Sequence, residues 1–347
     1  MSAVKSIARC CLLLFSLSCG GGGGAGGGST PGSNLPPGPG TFTALPMDPV
    51  WLNHIIPLGW INPPGHTIPT DHIYFGYVQK LGGPPTNGPL TVYAPGTATI
   101  QQVNQVPVAG IAETKVWFRM TGTFTYYLDH VVLDASLHVG SSVTAGQRIG
   151  TTGLSPSFDM GVIDEQINLA FLNPARYGAP GYSQTYHCGK PLTYFTEALK
   201  SQLYPLVDRE GADKDGRIDF DLPGRLIGNW FLDASPPAVD GSPAGWDREL
   251  AFAYDCQHPS KVLISIGGTL ALMGKWGIPA DAPDPATIGV TQGLVVYPLW
   301  APFDPIRVGT MLVQLTDDSH LKVQVFPGNP GPGEALAFDG NARIYAR

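Results

Sequence analysis

Charged side chains are scarce in this sequence: Asp, Glu, Lys and Arg make up 14% of its 347 residues, against about a quarter in an average domain. The formal net charge is −7 and no basic stripe is visible, which argues against a nucleic-acid partner. C-terminal to residue 19, no apolar run is long enough to span a bilayer. We therefore expect a soluble body that binds or acts on something other than nucleic acid.

Glycine and proline are abundant instead, at 45 and 34 residues, and they separate short runs of β-branched and aromatic residues. This pattern predicts a mainly all-β chain, and the length allows two domains. We expect a β-sandwich followed by a second β-rich lobe, with one short helix over residues 191–204. The clearest predicted strands are Ile73–Val78, Thr114–Met120 and Thr123–Leu133 in the first lobe, and Val262–Ile266 and Thr310–Leu315 in the second.

The N-terminus is typical of an export signal. Lys5 and Arg9 precede a short apolar run, Cys11–Leu17, which is too short to cross a membrane. Cys19 follows this run and precedes a glycine tract, an arrangement that resembles a bacterial lipoprotein processing site with Cys19 as the acylated residue. Ser16 departs from that pattern, because such sites usually carry leucine there. The alternative is an ordinary cleaved secretory signal.

Four segments follow from this pattern: a signal over 1–19, a Gly/Pro-rich linker over 20–42, a first β-domain over 43–190 and a C-terminal β-rich lobe over 191–347. Cys188 and Cys256 are the cysteines left in the body. Two cysteines in an oxidising compartment predict one disulfide between them. We expect the protein to be exported to the periplasm or outer membrane of a bacterium, with the lipid anchor as its only membrane contact.

The segment from Gly65 to His72 places three residues of metal-ligand type within seven positions, in a chain with eight histidines. They are His66, Asp71 and His72. Imidazole and carboxylate are common zinc ligands. A structural alternative stays open, in which loop histidines simply hydrogen-bond to backbone.

Two glycine-punctuated segments carry a resemblance to a known family. In 137–150 short apolar steps alternate with glycines, and 92–98 contains an Ala-Pro-Gly turn between apolar residues. Both resemble the lysostaphin-type (LytM-like) zinc peptidases, over roughly residues 60–170. Lipoyl-type carrier domains use similar turns, but no lysine stands at a matching hairpin tip. The resemblance implies a β-sandwich of the duplicated hybrid motif class, one zinc ion, and cleavage of peptides in bacterial cell walls.

The resemblance also implies roles for particular residues. His66 and Asp71 match the first pair of zinc ligands with one extra residue between them, which a bulge could absorb. His72 is an alternative ligand. His130 matches a catalytic histidine, although a histidine on an apolar strand can equally be a core residue. On the late strand, Asp159 stands where the family has a histidine as its last zinc ligand, and it could bind a metal through oxygen.

One catalytic position is lost on that late strand, because Ser157 stands where the family has a histidine. A site of His66, Asp71 and Asp159 is also more anionic than the family's set and should bind zinc less tightly. The sequence therefore favours a degenerate, non-hydrolytic domain that binds cell-wall peptide or regulates another envelope protein. The alternative is an active metal-dependent endopeptidase with an altered zinc site.

Overall fold

A computed structural model describes residues 35–77, 88–177, 183–236, 243–302, 304–329 and 336–347. The first lobe is one antiparallel sheet of nine strands in the order β1-β2-β9-β6-β5-β4-β7, with β3 paired to β8 and β8 also paired to β6. Its strands are β1 His54–Ile56, β2 His72–Gly76, β3 Thr91–Tyr93, β4 Ala98–Gln105, β5 Thr114–Arg119, β6 Phe124–Leu133, β7 Ser142–Val143, β8 Arg148–Thr152 and β9 Ser157–Asp164.

Alternation along the strands separates a core face from an open face. In β5, buried Thr114, Val116 and Phe118 alternate with half-buried residues. The core face packs on one large apolar cluster that includes Phe118, Tyr126 and Phe158. The open face is the one that carries the candidate site residues of β2, β6 and β9.

The glycine run predicted to form tight turns does so. Gly140 and Gly146 have φ of 92° and 81°, a region that glycine adopts without steric cost. Gly150 serves close packing instead, because an added Cβ would lie 2.2 Å from the carbonyl oxygen of Val132 on β6. These turns fold β7 and β8 back onto the sheet, as the pattern in 137–150 predicts.

The second lobe is a closed antiparallel barrel of eight strands, a closure that the sequence pattern did not indicate. Phe231 and Leu232 pair with Ala346 and Tyr345, which joins the first barrel strand to the last. The barrel encloses a separate apolar core that includes Trp230. Its strands are β10 Gly228–Leu232, β11 Glu249–Tyr254, β12 Val262–Ile266, β13 Gly274–Gly277, β14 Val295–Trp300, β15 Arg307–Leu315, β16 His320–Pro327 and β17 Arg343–Ala346. The prediction of a mainly all-β chain is confirmed.

Helical structure is limited to short segments between the strands. The described α-helices are α1 Ser183–Tyr186, α2 Glu197–Leu203 and α3 Pro243–Trp246, and 3₁₀ turns cover Pro174–Arg176, Pro191–Tyr194, Tyr204–Leu206 and Val290–Gln292. The helix predicted over 191–204 is interrupted, because Phe195 is extended and forms a parallel bridge with Phe42. Only its second half, α2, is α-helical.

The end of the predicted linker belongs to the folded structure. Phe42 is fully buried in the first core, and Gly122 donates its N–H to the carbonyl of Pro36 at 2.8 Å. The predicted signal, its candidate lipidation site Cys19 and linker residues 20–34 lie outside the described residues. Within the described ranges, no helix has the length and apolar character needed to cross a membrane.

The predicted disulfide is wrong: Cys188 and Cys256 are both buried free thiols. Cys188 packs in the first core and its thiol donates to the carbonyl of Asp71 at 3.4 Å. Cys256 follows β11 in the second lobe, and burial raises the pKa of its thiol to about 12. Each cysteine therefore serves as a small buried residue, a role in which cysteine is common and which spacing cannot distinguish from pairing.

Candidate functional site

Antiparallel pairing of three neighbouring strands brings the predicted site residues together. Tyr74 of β2 pairs with Asp159 of β9, and Asp159 pairs with Asp129 of β6. His72 lies two positions before Tyr74 and therefore shares its face of the sheet. His130 follows Asp129, where the register between β5 and β6 shifts by a bulge.

Asp71 is the most heavily hydrogen-bonded group of the site. Its Oδ1 accepts from the Tyr127 hydroxyl at 2.9 Å and lies 3.1 Å from His72 Nδ1, which donates to it. Its Oδ2 accepts from the Thr185 hydroxyl of α1 at 2.5 Å. Burial alone would raise the pKa of Asp71, but the hydrogen bond and charge of His72, with further help from Lys115 and Thr185, hold it well below its usual range. Asp71 is therefore a carboxylate with both oxygens in use.

His72 connects Asp71 to the late strand. While Nδ1 faces Asp71, Nε2 lies 2.9 Å from the hydroxyl of Tyr74 and 3.5 Å from Oδ2 of Asp159. The residue is 8% exposed, so these groups form almost its whole polar environment. Both ring nitrogens of His72 are thus engaged by side chains of the same lobe.

Asp159 lies between two histidines. Its Oδ2 is 3.5 Å from His72 Nε2 and 3.7 Å from His130 Nε2. Its Oδ1 is buried and makes no hydrogen bond within the described part of the chain. Burial raises the pKa of this carboxyl. An unpartnered buried oxygen is costly, so Asp159 has unused bonding capacity inside the cluster.

His130 is paired with a carboxylate that sequence reasoning missed. Its Nδ1 lies 2.7 Å from Oε2 of Glu113, a residue with 0% exposure, and the other Glu113 oxygen accepts the N–H of Leu154 at 2.6 Å. Burial lowers the pKa of His130, but the Glu113 hydrogen bond and the charges of Asp159 and Asp129 outweigh it and raise the pKa to about 9. His130 is therefore an imidazolium at neutral pH. Its φ of 64° is unusual outside glycine and is maintained at the bulge.

His66 approaches the cluster from the loop between β1 and β2. Its ring centroid lies 5.4 Å from that of His72 and 6.3 Å from that of Tyr74. Burial and the nearby charge of His72 lower the pKa of His66 to about 3, so the ring is neutral. His66 is at the edge of the cluster and contacts it through ring packing.

Lys115 of β5 adds a cation to the same face. Its Nζ lies 3.9 Å from the ring centroid of Tyr127, 4.9 Å from that of Trp117 and 3.9 Å from Asp129 Oδ2. A lysine over aromatic faces is held by the negative charge at the centre of each ring. Lys115 therefore places a permanent positive charge beside the histidines and carboxylates.

The structure thus brings all five predicted residues, His66, Asp71, His72, His130 and Asp159, into one cluster. We name this set the His–Asp cluster. The residues that sequence reasoning missed are Tyr74, Glu113, Lys115, Tyr127 and Thr185. Two of them left a signal, since Tyr74 and Tyr127 lie two positions from His72 and Asp129 and so share their faces in a strand. Glu113 and Thr185 are distant in sequence and gave none.

The donor atoms do not fit a zinc ion as they lie. Among the described residues, no three His, Cys, Asp or Glu side chains are arranged to hold one metal ion. A structural or catalytic zinc needs at least three protein ligands at about 2.0–2.3 Å. Here the oxygens of Asp71 and the nitrogens of His72 are occupied by hydrogen bonds from the chain itself. Ion binding would require several of these bonds to break.

Comparisons with known proteins leave the family open. No protein-family profile matches the chain and no curated protein matches it. Three of the solved structures to which it is similar are Csd3 of Helicobacter pylori, a zinc-containing peptidase from Vibrio cholerae and lysostaphin. Csd3 is 16% identical over 36% of this chain and 31% of its own, with a TM-score of 0.27. The Vibrio protein is 18% identical over 36% and 37%, with a TM-score of 0.26.

Lysostaphin aligns over more of both chains, 87% of this one and 91% of its own, at 15% identity and a TM-score of 0.28. The alignments with Csd3 and the Vibrio peptidase span about a third of those proteins. Peptidases are thus among the structures that this chain loosely resembles. Identities and scores this low assign neither a family nor an activity.

Proposed function

We propose that this chain is an exported cell-envelope protein whose first lobe has a peptidase-like fold without hydrolytic activity. It binds cell-wall peptide or regulates another envelope protein, and it is attached to the membrane through lipid on Cys19. The observation that carries the proposal is the His–Asp cluster, in which the would-be metal ligands hydrogen-bond to one another and to tyrosines. The export signal and the glycine turns of 137–150 support the cellular location and the peptidase-like fold.

The cluster is unsuited to hydrolysis because its candidate ligands are already engaged by hydrogen bonds and ion pairs within the chain. A zinc hydrolase needs an open coordination position for water next to the metal. Here two positive groups, Lys115 and the imidazolium of His130, neighbour the carboxylates of Asp129, Asp159 and Glu113. A divalent cation would enter against that positive charge and would have to displace existing hydrogen bonds.

Proton transfer is also impaired. The late strand carries Ser157 where the family has a catalytic histidine, and a serine hydroxyl, unlike an imidazole, does not titrate near neutral pH. His130 remains, but against the effect of burial the hydrogen bond to Glu113 and the neighbouring carboxylates raise its pKa and favour the imidazolium, which is not a base. The residues that would move protons are therefore missing or in the wrong protonation state.

A binding role is supported by a cavity on the same open face of the sheet. It has a volume of about 430 Å³ and is lined by residues including Gln102, Trp117, Arg119 and Glu165. Trp117 packs on Tyr127 with ring centroids 4.7 Å apart, and Tyr127 in turn bonds Asp71, so the cavity adjoins the cluster. An indole beside amide and charged side chains suits a peptide with apolar and hydrogen-bonding groups.

The alternative function is an active metallopeptidase with an altered site. The observation in its favour is the buried Oδ1 of Asp159, which makes no hydrogen bond in the described part of the chain and lies among the four candidate ligand residues and His130. Binding of an ion there would satisfy that oxygen. The hydrogen bonds that already occupy Asp71 and His72 weigh against metal binding, and therefore against this alternative function.

A sedimentation and digestion experiment with purified cell-wall sacculi tests the proposal. The protein is incubated with sacculi in zinc-containing buffer, and both the pelleted protein and the released soluble peptide are measured. We expect wild-type protein to pellet with sacculi and to release nothing above the blank, and Trp117→Ala to pellet less. Peptide release that disappears in both His66→Ala and His130→Ala would establish the enzyme instead. Absence of both pelleting and release would refute cell-wall binding and hydrolysis, and would leave regulation of another envelope protein as the function.

A further inference from the structure

The loop that carries His66 is held by the second lobe as well as by the first. We name residues 59–70 the His66 arm. It is a small hairpin, in which Asn62 and His66 exchange backbone hydrogen bonds at 2.9 and 3.2 Å and Thr70 donates to the carbonyl of Trp60 at 3.1 Å. The C-terminal end of the arm leads into β2, and the side of the arm that carries Ile61 and Thr67 contacts the second lobe.

Lys275 of β13 makes the first contact from the barrel. Its Nζ donates to the carbonyl of Ile61 at 3.0 Å and lies 5.4 Å from the ring centroid of Trp60. Lys275 is half-buried, and this burial lowers its pKa. A hydrogen bond from a charged donor is stronger than a neutral one.

Trp246 of α3 makes the second contact. Its carbonyl accepts the hydroxyl of Thr67 at 3.0 Å, and Thr67 has 0% exposure. Its indole lies near Gly65, where an added Cβ would be 3.9 Å from the ring. The residue that follows His66 is therefore bonded directly to the second lobe.

An apolar contact joins the two lobes at the same place. Ile61 of the arm is 2% exposed and packs in a cluster with Phe220, Ile227, Ala253 and Leu263. On the opposite side of the arm, Trp60 packs on Tyr74 of β2 with ring centroids 4.9 Å apart. The arm is thus clamped between the barrel and the His–Asp cluster.

We infer that Lys275 and Trp246 are positioning residues for His66, and that the second lobe completes the candidate site of the first. Without the barrel, Ile61 would face water, and the arm would keep its own hairpin bonds, the ring contacts of Trp60 and His66, and the burial of Ile68 in the first core. This gives the C-terminal lobe a defined role. The inference takes His66 as a part of the site and to that extent rests on the proposed function.

Hydrogen exchange in the full chain tests the inference, with Lys275→Met as the variant. Lys322→Met is the matched control, because Lys322 is a barrel lysine on β16 that contacts an aromatic ring, that of Phe338. Loss of a charged hydrogen bond should speed local opening of the arm by about tenfold to hundredfold. We expect faster exchange in the arm amides and unchanged exchange in β6 and β9, with no change in the control.

Two further variants separate positioning from general stability. Lys275→Arg keeps the charge and a donor, so it should restore exchange to within about threefold of wild type. Thr67→Val removes the hydroxyl that bonds Trp246 at 3.0 Å and, at 3.4 Å, Pro64 within the arm, and should act like Lys275→Met if that variant does not fold. Ring signals of ¹⁵N-labelled His66 should shift in Lys275→Met, while those of His130 should not.

Unchanged arm exchange in both Lys275→Met and Thr67→Val would overturn the inference, as would an equal increase across both lobes. The exchange measurement reports on the arm whether or not a cell-wall ligand binds. If wild-type protein fails to bind sacculi while the arm exchange changes as expected, the proposed function fails and the positioning role stands. If sacculi bind equally well to all variants and the arm is unchanged, the positioning role fails alone.

Discussion

Replacement of Glu113 by glutamine removes the charge of a fully buried carboxylate that is paired with His130 of the His–Asp cluster. Glu113 has 0% exposure, bonds His130 Nδ1 at 2.7 Å and accepts the N–H of Leu154 at 2.6 Å. Glutamine keeps the volume and one acceptor oxygen, so the Leu154 bond can persist while the imidazolium loses its partner. Truncating one side of a buried charge pair costs about 3–5 kcal/mol, and we expect about 2–3 kcal/mol for this conservative change.

The same pair predicts a pH dependence with a definite sign. The pKa of His130 is raised from 6.5 to about 9, so the folded state binds its proton more tightly than the unfolded chain does. Stability from this shift is fully present below pH 6.5 and is lost as the pH rises to about 9. At about 1.4 kcal/mol per unit, the loss is of the order of 3 kcal/mol. In Glu113→Gln the loss of stability between pH 6.5 and 9 should be less than half of the wild-type loss. Only the charges of Asp159 and Asp129 still raise the pKa of His130 in this variant.

Urea unfolding at pH 6 and at pH 9 measures both effects. Glu197→Gln serves as the control, since Glu197 lies on the surface of α2 in an exposed pair with Lys200 and its loss should change stability by less than about 0.5 kcal/mol. The difference between wild type and Glu113→Gln should be larger at pH 6 than at pH 9. An equal difference at the two pH values would refute the argument that Glu113 raises the pKa of His130.

Three other predictions follow from single contacts. Peptide mapping without reduction should find Cys188 and Cys256 unlinked, and a cross-linked pair would contradict the packing described for both thiols. Lys115→Met should raise the affinity for zinc in calorimetry by about tenfold or more, because it removes a positive charge beside the cluster; equal affinity would refute that role. Gly161→Ala should destabilise the fold by about 1–3 kcal/mol in urea unfolding, since the added Cβ would lie 2.2 Å from the ring of Tyr127; an unchanged midpoint would contradict this.

Local sequence patterns predicted the strands and turns well where one residue type decides the geometry. The glycines of 137–150 could be placed because positive φ is nearly a glycine property, and two of them have it. The closure of the second lobe into a barrel depends on pairing between Phe231 and Ala346, more than a hundred positions apart. No local pattern encodes such a pairing, so the barrel could not be predicted.

The residues of the candidate site could be predicted from the sequence, but their hydrogen-bond partners and protonation states could not. His66, Asp71, His130 and Asp159 were found because a family pattern fixes their order along the chain. Their protonation depends on residues that the pattern does not include, such as Glu113 beside His130. The disulfide prediction failed for a related reason. The spacing of Cys188 and Cys256 along the chain does not indicate that each thiol is buried without the other as its partner.

The zinc content of the purified folded chain tests the central claim most directly. The claim is that the His–Asp cluster is closed by its own hydrogen bonds and does not hold a metal ion. After exposure to zinc and gel filtration, elemental analysis should find no stoichiometric zinc in wild-type protein. One zinc per chain, lost on substitution of His72 or Asp71 by alanine in a folded variant, would contradict the account.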